Sequence, residues 1–600
     1  MGYVAAGLTL LLTLTTSQLL PAQPTQVGSS REQVLLSQQS DSDLYSFYNA
    51  YLDSAFRQHP VSATQLGDHR VDSLLDDVSK PARDRWLAQV RKTLAELPQQ
   101  VDKKRLTRSG QVDYEIFEHS LQLEIWATEN LHPFEEDPRT YSDYISDSIY
   151  VLLTQSTLPQ ETNISNAVAR MKQIPALVAA ARANLQNPVR VYLETAIKQN
   201  QGAINFYEKE LFALAGNSPQ LPALKSAADP ITAALKEYQS FLQNLVPRAE
   251  GEWRLGTDRF SKKLELELDA GLTSDQVLAD AEAEFPRVQR DMYVVARQLW
   301  SRYFPKRPLP PDDVGGRVGT VREVLQRVGL EHGKPEDLLS DVTKTVDHIK
   351  HFIAENHILK LPDPDTCKIV EMPEFKRGNS TAYMNAPPPL DPNAVGFYAV
   401  SPPPSDWSPE RVNTYLEEYN SHMVQVLTIH EAYPGHYVQL EYANRNPSPI
   451  RKVLGSGPYI EGWAVYTEQM MLDQGYGDRD LPLRLNQLKF YLRAVANTML
   501  DHHMHCSGWT DEQAMQLLTG GAYQSEGEAR LKVIRSKQSS VQLSTYFVGR
   551  MAMYRLRQSV QRELGEKFDL AAYHEAVLSE GAVPVKYLPE LVRARLKLEH

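Results

Sequence analysis

The sequence predicts a mainly α-helical fold, a large multi-helix body with a central cleft and a small β element near the candidate site. Apolar residues recur at spacings of three and four along much of the chain, which is the period of helices that face a core. Few stretches alternate strictly between apolar and polar residues, so little strand is expected. Of 600 residues, 42% are hydrophobic and 23% are charged, which is typical of a globular protein with a sizeable core.

The helical pattern is clearest in four stretches, residues 43–57, 83–97, 164–185 and 227–245. Thr273 and Gln276 have the spacing of a capping box, so another helix is expected to begin there and to run toward Tyr303. The prolines between residues 305 and 311 then interrupt the chain, because proline cannot continue a helix.

A proline-rich region, residues 361–404, precedes the candidate site. Inside it, residues 394–400 are predicted to form a short strand that carries Tyr398, a candidate substrate contact. If this strand runs along the cleft, it could bind a peptide as an added strand. Ser408 and Pro409 then begin a helix by capping. Its apolar positions lead in register to His430, so this side chain is expected to point inward.

The N-terminus differs from the rest of the chain. Residues 4–22 are apolar, and no Lys or Arg precedes Arg31, which is similar to the apolar region of a secretory signal. A basic n-region and a clean cleavage site are missing, and no cysteine lies nearby to take a lipid. We therefore expect an exported protein, periplasmic or extracellular. An uncleaved membrane anchor and a mis-chosen start codon are the alternatives.

The predicted organisation has four parts: a signal or anchor segment at 1–25, a polar linker at 26–40, an N-terminal helical half at 41–300 and a C-terminal half at 301–600 that carries the site. The two halves are expected to share one body. After the N-terminal segment, no stretch approaches the ~20 apolar residues of a membrane span. The net charge of -12 argues against nucleic acid as a partner. A disulfide between Cys367 and Cys506 is possible, but two cysteines cannot form a disulfide scaffold.

The chemistry is concentrated in residues 430–436, which read His-Glu-Ala-Tyr-Pro-Gly-His. Histidine and carboxylate side chains are the usual ligands of a catalytic zinc ion. His430, His436 and the later Glu461 would leave one position of a tetrahedral ion open for water. Glu431, beside the first ligand, is where a general base is expected. The sequence therefore predicts a site for one Zn²⁺ ion, although Mn or Co can occupy such ligands.

The spacing of the two histidines requires a bend. In the common H-E-x-x-H motif they stand four residues apart on one helix face. Here they stand six apart, which on a straight helix leaves the side chains ~120° out of alignment. Pro434 and Gly435 can break or kink the helix and bring His436 back toward His430. The alternative is two unrelated histidines on either side of a helix break.

The motif resembles that of the DUF885 family, a group of mainly helical proteins proposed to be zinc peptidases. Segments similar to the patterns of that family occur in the same order at residues 59–68, 430–436, 461–468, 505–510, 542–549 and 574–584. The resemblance spans roughly residues 40 to 600. It departs from the family pattern before Gln542, where Ser540 and Val541 replace Pro-Gly, and at residues 501–504, before His505. The resemblance implies a zinc hydrolase.

Further roles follow for residues in these segments. Tyr546 is the first candidate for a donor to the developing oxyanion and His505 the second, with a core tyrosine and a structural histidine as the alternatives. Glu468 lies seven residues after Glu461, on about the same helix face, and with Tyr466 is a candidate second-shell residue. Arg493 and Arg535 are candidate ligands of a substrate carboxylate, with surface or ion-pair roles as the alternative. A second metal at His502, His503 and His505 is disfavoured, because only Asp501 supplies a carboxylate nearby.

These observations predict a zinc-dependent hydrolase, and within that class a metallopeptidase that cleaves peptides with Glu431 as general base. The alternative is a catalytically silent protein of the same fold that binds peptides or another ligand. A metal-free serine hydrolase is disfavoured, because residues 455–457, Gly-Ser-Gly, lack the spacing of a nucleophile elbow.

Overall fold

The computed structural model describes residues 27–372 and 382–598, with side chains from residue 38 onward. In these ranges the chain is mainly helical and carries one small sheet, which confirms the predicted fold class. The predicted signal or anchor segment, residues 1–25, lies outside the described residues. Among the helices that are described, none combines the length and the apolar character needed to cross a bilayer.

The N-terminal half is built from helices joined by short connections. They are α1 (Val27–Gln58), α2 (Pro60–Leu66), α3 (Lys80–Gln100), α4 (Arg108–Asn130), α5 (Pro133–Glu136), α6 (Ser148–Thr154), α7 (Gln160–Met171), α8 (Ile174–Asn184), α9 (Arg190–Asn205), α10 (Leu211–Ala215), α11 (Leu221–Leu245), α12 (Gly256–Leu268) and α13 (Ser274–Tyr303).

Three of these helices test the predicted boundaries. The capping box of Thr273 and Gln276 begins α13 as predicted, and α13 continues unbroken past residue 300, the predicted limit of the N-terminal half. The helix predicted at 164–185 is two helices, because Pro175 lacks the backbone donor of a helix interior and lies in the first turn of α8. The segment predicted as a polar linker, residues 26–40, is helical from Val27 onward, where α1 begins. Its Arg, Glu, Leu and Gln residues favour a helix.

The C-terminal half contains the remaining helices. They are α14 (Val314–Gly329), α15 (Leu338–Glu355), α16 (Pro409–Glu418), α17 (Ser421–Glu431), α18 (His436–Asn444), α19 (Pro449–Val453), α20 (Gly457–Asp473), α21 (Leu481–Cys506), α22 (Asp511–Met515), α23 (Glu526–Gln538), α24 (Thr545–Leu564), α25 (Leu570–Leu578) and α26 (Leu588–Arg595).

The sheet lies between α15 and α16 in the chain and has three strands, β1 (Lys368–Glu371), β2 (Ala382–Asn385) and β3 (Phe397–Val400). Their order is β1-β3-β2, with β3 parallel to β1 and antiparallel to β2. The strand predicted at 394–400 is confirmed as β3. However, β3 is the central strand and is paired on both sides, so it has no free edge on which to bind a peptide.

Both halves contribute to a shared core. Buried side chains of α1, α4 and α15 pack with those of α17, α18 and α20, and α13 packs against α21. A buried ion-pair network also joins the halves. Arg451 Nε lies 2.6 Å from Asp113 Oδ1, and Arg451 Nη1 lies 2.9 Å from Glu580 Oε2. Removing a partner from such a network leaves an uncompensated buried charge, so these contacts fix the relative positions of the halves.

The helices α20 and α24 pack backbone against backbone. A Cβ atom on Gly462 would lie 2.3 Å from the carbonyl carbon of Gly549, and a Cβ on Gly549 would lie 1.7 Å from the carbonyl oxygen of Pro458. Only glycine allows this approach. The contact holds the helix that carries Glu461 directly against the helix that carries Tyr546.

Candidate metal centre

The two histidines are brought together by a complete helix break. α17 ends at Glu431, a cis peptide joins Tyr433 to Pro434, and α18 begins at His436. Gly435 packs so closely that a Cβ there would lie 1.8 Å from the carbonyl oxygen of His430. As a result the imidazole rings of His430 and His436 lie with centroids 4.8 Å apart and planes at 89°. The Pro-Gly pair therefore folds the second histidine back onto the first.

Glu461 joins the two histidines from α20. Ser456 caps this helix by accepting a hydrogen bond from the Tyr459 backbone N–H, which places Glu461 near its start. Glu461 Oε2 lies 3.5 Å from His436 Nε2 and 3.8 Å from His430 Nε2, and the three candidate ligand atoms all lie within 4.8 Å of one another. Ligand bonds of about 2.0–2.2 Å in a tetrahedral zinc site separate ligand atoms by roughly 3.3–3.6 Å. The two separations that involve Glu461 lie at or just above this range, so the group could close around one ion.

The electrostatics of the group also suit a cation. Glu461 Oε2 and His436 Nδ1 are buried and have no hydrogen-bond partner among the described residues. Burial alone would lower the pKa of His436, but the Glu461 carboxylate outweighs it and raises that pKa. His430 behaves oppositely, because burial and the neighbouring His436 lower its pKa to about 3. His430 is therefore a neutral imidazole, the form that binds metal, and Glu461 faces a position where positive charge is stabilised.

Glu468 orients the first histidine. Its Oε1 lies 2.7 Å from His430 Nδ1, and its side chain is fully buried. A carboxylate on one ring nitrogen fixes the tautomer and leaves the other nitrogen free to bind a metal. Glu468 thus lies where the sequence predicted a second-shell residue.

Glu431 lies beside the group and faces an open space. Its Oε2 accepts a hydrogen bond of 3.0 Å from the backbone N–H of Met384 in β2. Burial, with a smaller contribution from Glu461, raises the pKa of Glu431 to about 7. A carboxylate with such a pKa can exchange a proton near neutral pH.

A cavity of about 230 Å³ opens beside His430 and Glu431. The charged and polar side chains that matter for chemistry in its wall are His430, Glu431, Arg493, Lys532, Arg535 and Tyr546. The cavity therefore brings together five residues that were predicted from separate parts of the sequence, and adds Lys532. Lys532 shares its helix face with Ala529, Val533 and Ser536, all buried, but the sequence alone did not distinguish it from an ordinary helical lysine.

Tyr546 lies at this cavity with its hydroxyl near two donors. Gln542 Nε2 is 3.3 Å away and Arg535 Nη2 is 3.4 Å away. Burial raises the pKa of Tyr546 above its ordinary value, so the phenol keeps its proton and can donate a hydrogen bond. Its position is compatible with the predicted role of oxyanion donor.

Comparison with known proteins places the chain. A family model described as "Bacterial protein of unknown function (DUF885)" matches residues 60–592. The chain belongs to the DUF885 family. No curated protein matches it.

Two solved structures share the DUF885 fold of this chain. One, described as a "putative lipoprotein of unknown function" from Shewanella oneidensis, is 33% identical, with a TM-score of 0.78 over 91% of this chain and 98% of that chain. The other, a "putative lipoprotein" from Colwellia psychrerythraea, is 19% identical, with a TM-score of 0.76 over 93% of this chain and 99% of that chain. The second likeness concerns the fold alone.

The structure does not bring His505 to the cavity of this DUF885 protein. Its Nε2 lies 3.0 Å from the carbonyl oxygens of both Ser536 and Ser539, and its Nδ1 accepts a bond of 3.4 Å from the Leu255 N–H. With both ring nitrogens bound to backbone, His505 ties the end of α23 to α21. This is the structural alternative, and its position gives no support to a catalytic role.

Two predicted tyrosines also face elsewhere. The hydroxyl of Tyr398 lies 3.1 Å from Thr428 Oγ1, and its side chain is buried beneath α17. The hydroxyl of Tyr466 lies 2.7 Å from His574 Nε2, inside the core. Tyr398 therefore supports α17, the helix that carries His430, and does not line the cavity. Tyr466 forms no described bond to the candidate ligands.

The structure also bears on two alternatives that the sequence left open, a second metal site and a disulfide bond. Among the described residues, His430, His436 and Glu461 are the one group of His, Cys, Asp and Glu side chains with the spacing of a metal site, so His502, His503 and His505 do not form a second. Cys367 and Cys506 are both free thiols. Arg493 and Arg535 do lie at the cavity, as predicted for ligands of a substrate carboxylate.

Proposed function

We propose that this DUF885 protein is a zinc-dependent hydrolase, and specifically a metallopeptidase with Glu431 as its general base. The convergence of His430, His436 and Glu461 carries the proposal, because these three donors come from separate helices and one of them, His430, lines a cavity. A structural zinc site is normally closed by four protein ligands. A three-ligand site beside a glutamate and a cavity is what metal-assisted hydrolysis requires.

The side chains around the site have distinct tasks in this proposal. When bound, a zinc ion would polarise the scissile carbonyl and lower the pKa of water. Glu431 would take the proton of that water and transfer it to the leaving amine. Hydrolysis adds water across the amide bond, giving a new carboxylate and a free amine. Tyr546 would donate a hydrogen bond to the carbonyl oxygen as it gains charge, and Glu468 would hold His430 in place.

Metal analysis and a peptide digest test the proposal together. We expect purified protein to bind one equivalent of zinc and to cleave members of a random peptide library, read by mass spectrometry, with cleavage abolished by a chelator and restored by zinc. Glu431→Gln should keep the metal and lose cleavage. Hydrolysis that survives both the chelator and this substitution would refute the proposal. Zinc-free protein that binds peptides without cleaving them would favour the silent binder.

We also propose that the protein is exported. The apolar residues 4–22 support this, and the solved relative from Shewanella oneidensis is described as a "putative lipoprotein". Cell fractionation with N-terminal sequencing tests the proposal, and a cytoplasmic protein that retains residues 4–22 would contradict it.

A further inference from the structure

Three cationic side chains form one wall of the cavity beside the metal centre. Arg493 comes from α21, and Lys532 and Arg535 come from α23. Lys532 and Arg535 are three residues apart and lie on adjacent positions of one helix face. The wall therefore faces the same enclosed space as His430 and Glu431.

This wall carries more positive than negative charge. Arg493 forms an ion pair with Glu528. Arg535 contacts neutral groups, with Gln542 Oε1 2.6 Å from its Nη2 and the Tyr546 hydroxyl 3.4 Å away. The nearby Glu418 is already paired with Lys489 at 2.7 Å. Among the described residues, Glu528, paired with Arg493, is the one carboxylate at ion-pair distance from these three side chains.

Lys532 is the most unusual of the three. Only 5% of its surface is exposed, and it makes no hydrogen bond or ion pair with any residue in the described parts of the chain. Burial and the charges of Arg493 and Arg535 together lower the pKa of its ammonium group. A buried ammonium group without a partner is an unfavourable arrangement. An anion placed in the cavity would relieve it and would also contact the guanidinium of Arg535.

We propose that Arg493, Lys532 and Arg535 bind a carboxylate of the peptide substrate, and that this is the C-terminal carboxylate. The inference rests on the proposed function and defines its substrate class. The guanidinium groups of arginine match a carboxylate with paired N–H donors, and lysine adds a point charge. The protein is then a carboxypeptidase that cleaves close to the free end of a peptide.

The size of the cavity supports cleavage close to the anion. At about 230 Å³, it is smaller than the roughly 300–1,000 Å³ of pockets that hold drug-sized ligands. Glu431 and the cationic wall both line it, so a carboxylate on the wall has only a short segment of peptide between itself and the scissile bond. An acidic side chain beside that bond is the other possible source of the carboxylate.

A digest of matched peptides distinguishes the two sources. The substrates are N-acetylated hexapeptides of random sequence, prepared with a C-terminal acid or a C-terminal amide, each with and without Asp and Glu. We expect zinc-loaded protein to cleave the acids near their free end and to cleave the amides about 10- to 100-fold more slowly, as expected for loss of a charge-assisted contact. Cleavage of amides only where Asp or Glu is present would refute the C-terminal assignment. Equal cleavage of every set would refute the inference and leave the hydrolase proposal intact.

Substitutions in the cationic wall test whether it causes the preference for a C-terminal acid. Lys532→Met and Arg535→Gln should each lower the ratio of kcat/KM for the acid peptides to kcat/KM for the amides by about 10- to 100-fold. The ratio is the readout, because Arg535 also lies 3.4 Å from the Tyr546 hydroxyl and its loss can slow cleavage of both substrates. Arg530→Gln is the matched control, because Arg530 is an exposed cation on the same helix, paired with Glu526, and should change neither. Equal effects of Lys532→Met on acids and amides would contradict the proposal.

A binding measurement decides the inference even if no hydrolysis is found. Calorimetry with N-acetyl-Ala-Ala and its amide, on zinc-loaded protein, should show tighter binding of the acid in the parent protein and loss of that preference in Lys532→Met. Equal binding of acid and amide would overturn the inference. A preference for the acid in a protein that cleaves nothing would support the carboxylate wall and refute the proposed hydrolase.

Discussion

Substituting Gly435 by alanine tests the bend on which the metal centre depends. A Cβ at residue 435 would lie 1.8 Å from the carbonyl oxygen of His430 and 2.4 Å from that of Ile429, whereas non-bonded carbon–oxygen contacts begin near ~3.3 Å. The segment must therefore shift by roughly 1.5 Å. The shift falls on the turn between His430 and His436, so the two imidazoles cannot keep their present relation.

Both stability and activity should respond. Overpacking of this kind costs about 1–3 kcal/mol, and a displacement of about 1 Å at a catalytic site can cost about 100-fold in rate. Urea denaturation measures the loss of stability, zinc content measures whether the ligands still bind metal, and peptide hydrolysis measures the rate. Gly202→Ala is the control, because nothing lies within 4 Å of the added atom. It should stabilise α9 by about 0.5–1 kcal/mol without altering zinc binding. If Gly435→Ala kept the zinc affinity and rate of the parent protein, the bend would not be what positions the ligands.

Three further substitutions test other contacts. Glu468→Leu should weaken zinc binding by about 10- to 100-fold while circular dichroism stays unchanged; an unaltered dissociation constant would remove Glu468 from the site. Arg451→Leu should lower the free energy of unfolding by about 3–5 kcal/mol, because it leaves Asp113 buried without its cation, whereas Glu580 keeps its ion pair with Arg595; a loss below 1 kcal/mol would contradict this. Burial raises the pKa of Asp501 from 3.8 to about 7. Between these two pH values, the Asp501 carboxyl group is protonated in the folded state and ionised in the unfolded state. Stability due to this group should fall as pH rises from about 4 to 7, by up to roughly 4 kcal/mol. Asp501→Asn keeps the contacts to the Val541 N–H and the Ser544 hydroxyl. It should remove the loss of stability between pH 5 and pH 8, measured by denaturation at both values. An equal loss of stability in the parent protein and the variant would show that Asp501 is not the titrating group.

Local patterns predicted most of the metal centre. His430, Glu431 and His436 lie in seven residues, and Glu461 and Glu468 lie on one face of the next long helix. Periodicity and capping also predicted α3 and α13. The helices are confirmed and the candidate ligands do lie together, because helix geometry acts over short distances in the chain. Zinc binding by these residues stays a prediction.

The remaining features depend on contacts between distant segments. Lys532 reads as an ordinary helical lysine until α21 and α23 enclose it. His505 and Tyr398 have side chains of the kind found in catalytic sites. However, His505 bonds to the carbonyl oxygen of Ser536 in α23, and Tyr398 bonds to the hydroxyl of Thr428. The strands β1 and β2 are only four residues long, too short for alternation to reveal them. In each case tertiary packing decides the outcome.

The backbone contact between Gly462 and Gly549 has a consequence for how a substrate would enter the proposed site. Because α20 and α24 touch through their backbones, no side chains lie between them that could rearrange. Glu461 and Tyr546 should therefore keep a fixed separation during the proposed reaction. We therefore expect access to the cavity to depend on α23, which carries Lys532 and Arg535. A cross-link that immobilised α23 should slow product departure, whereas one across α20 and α24 should leave it untouched.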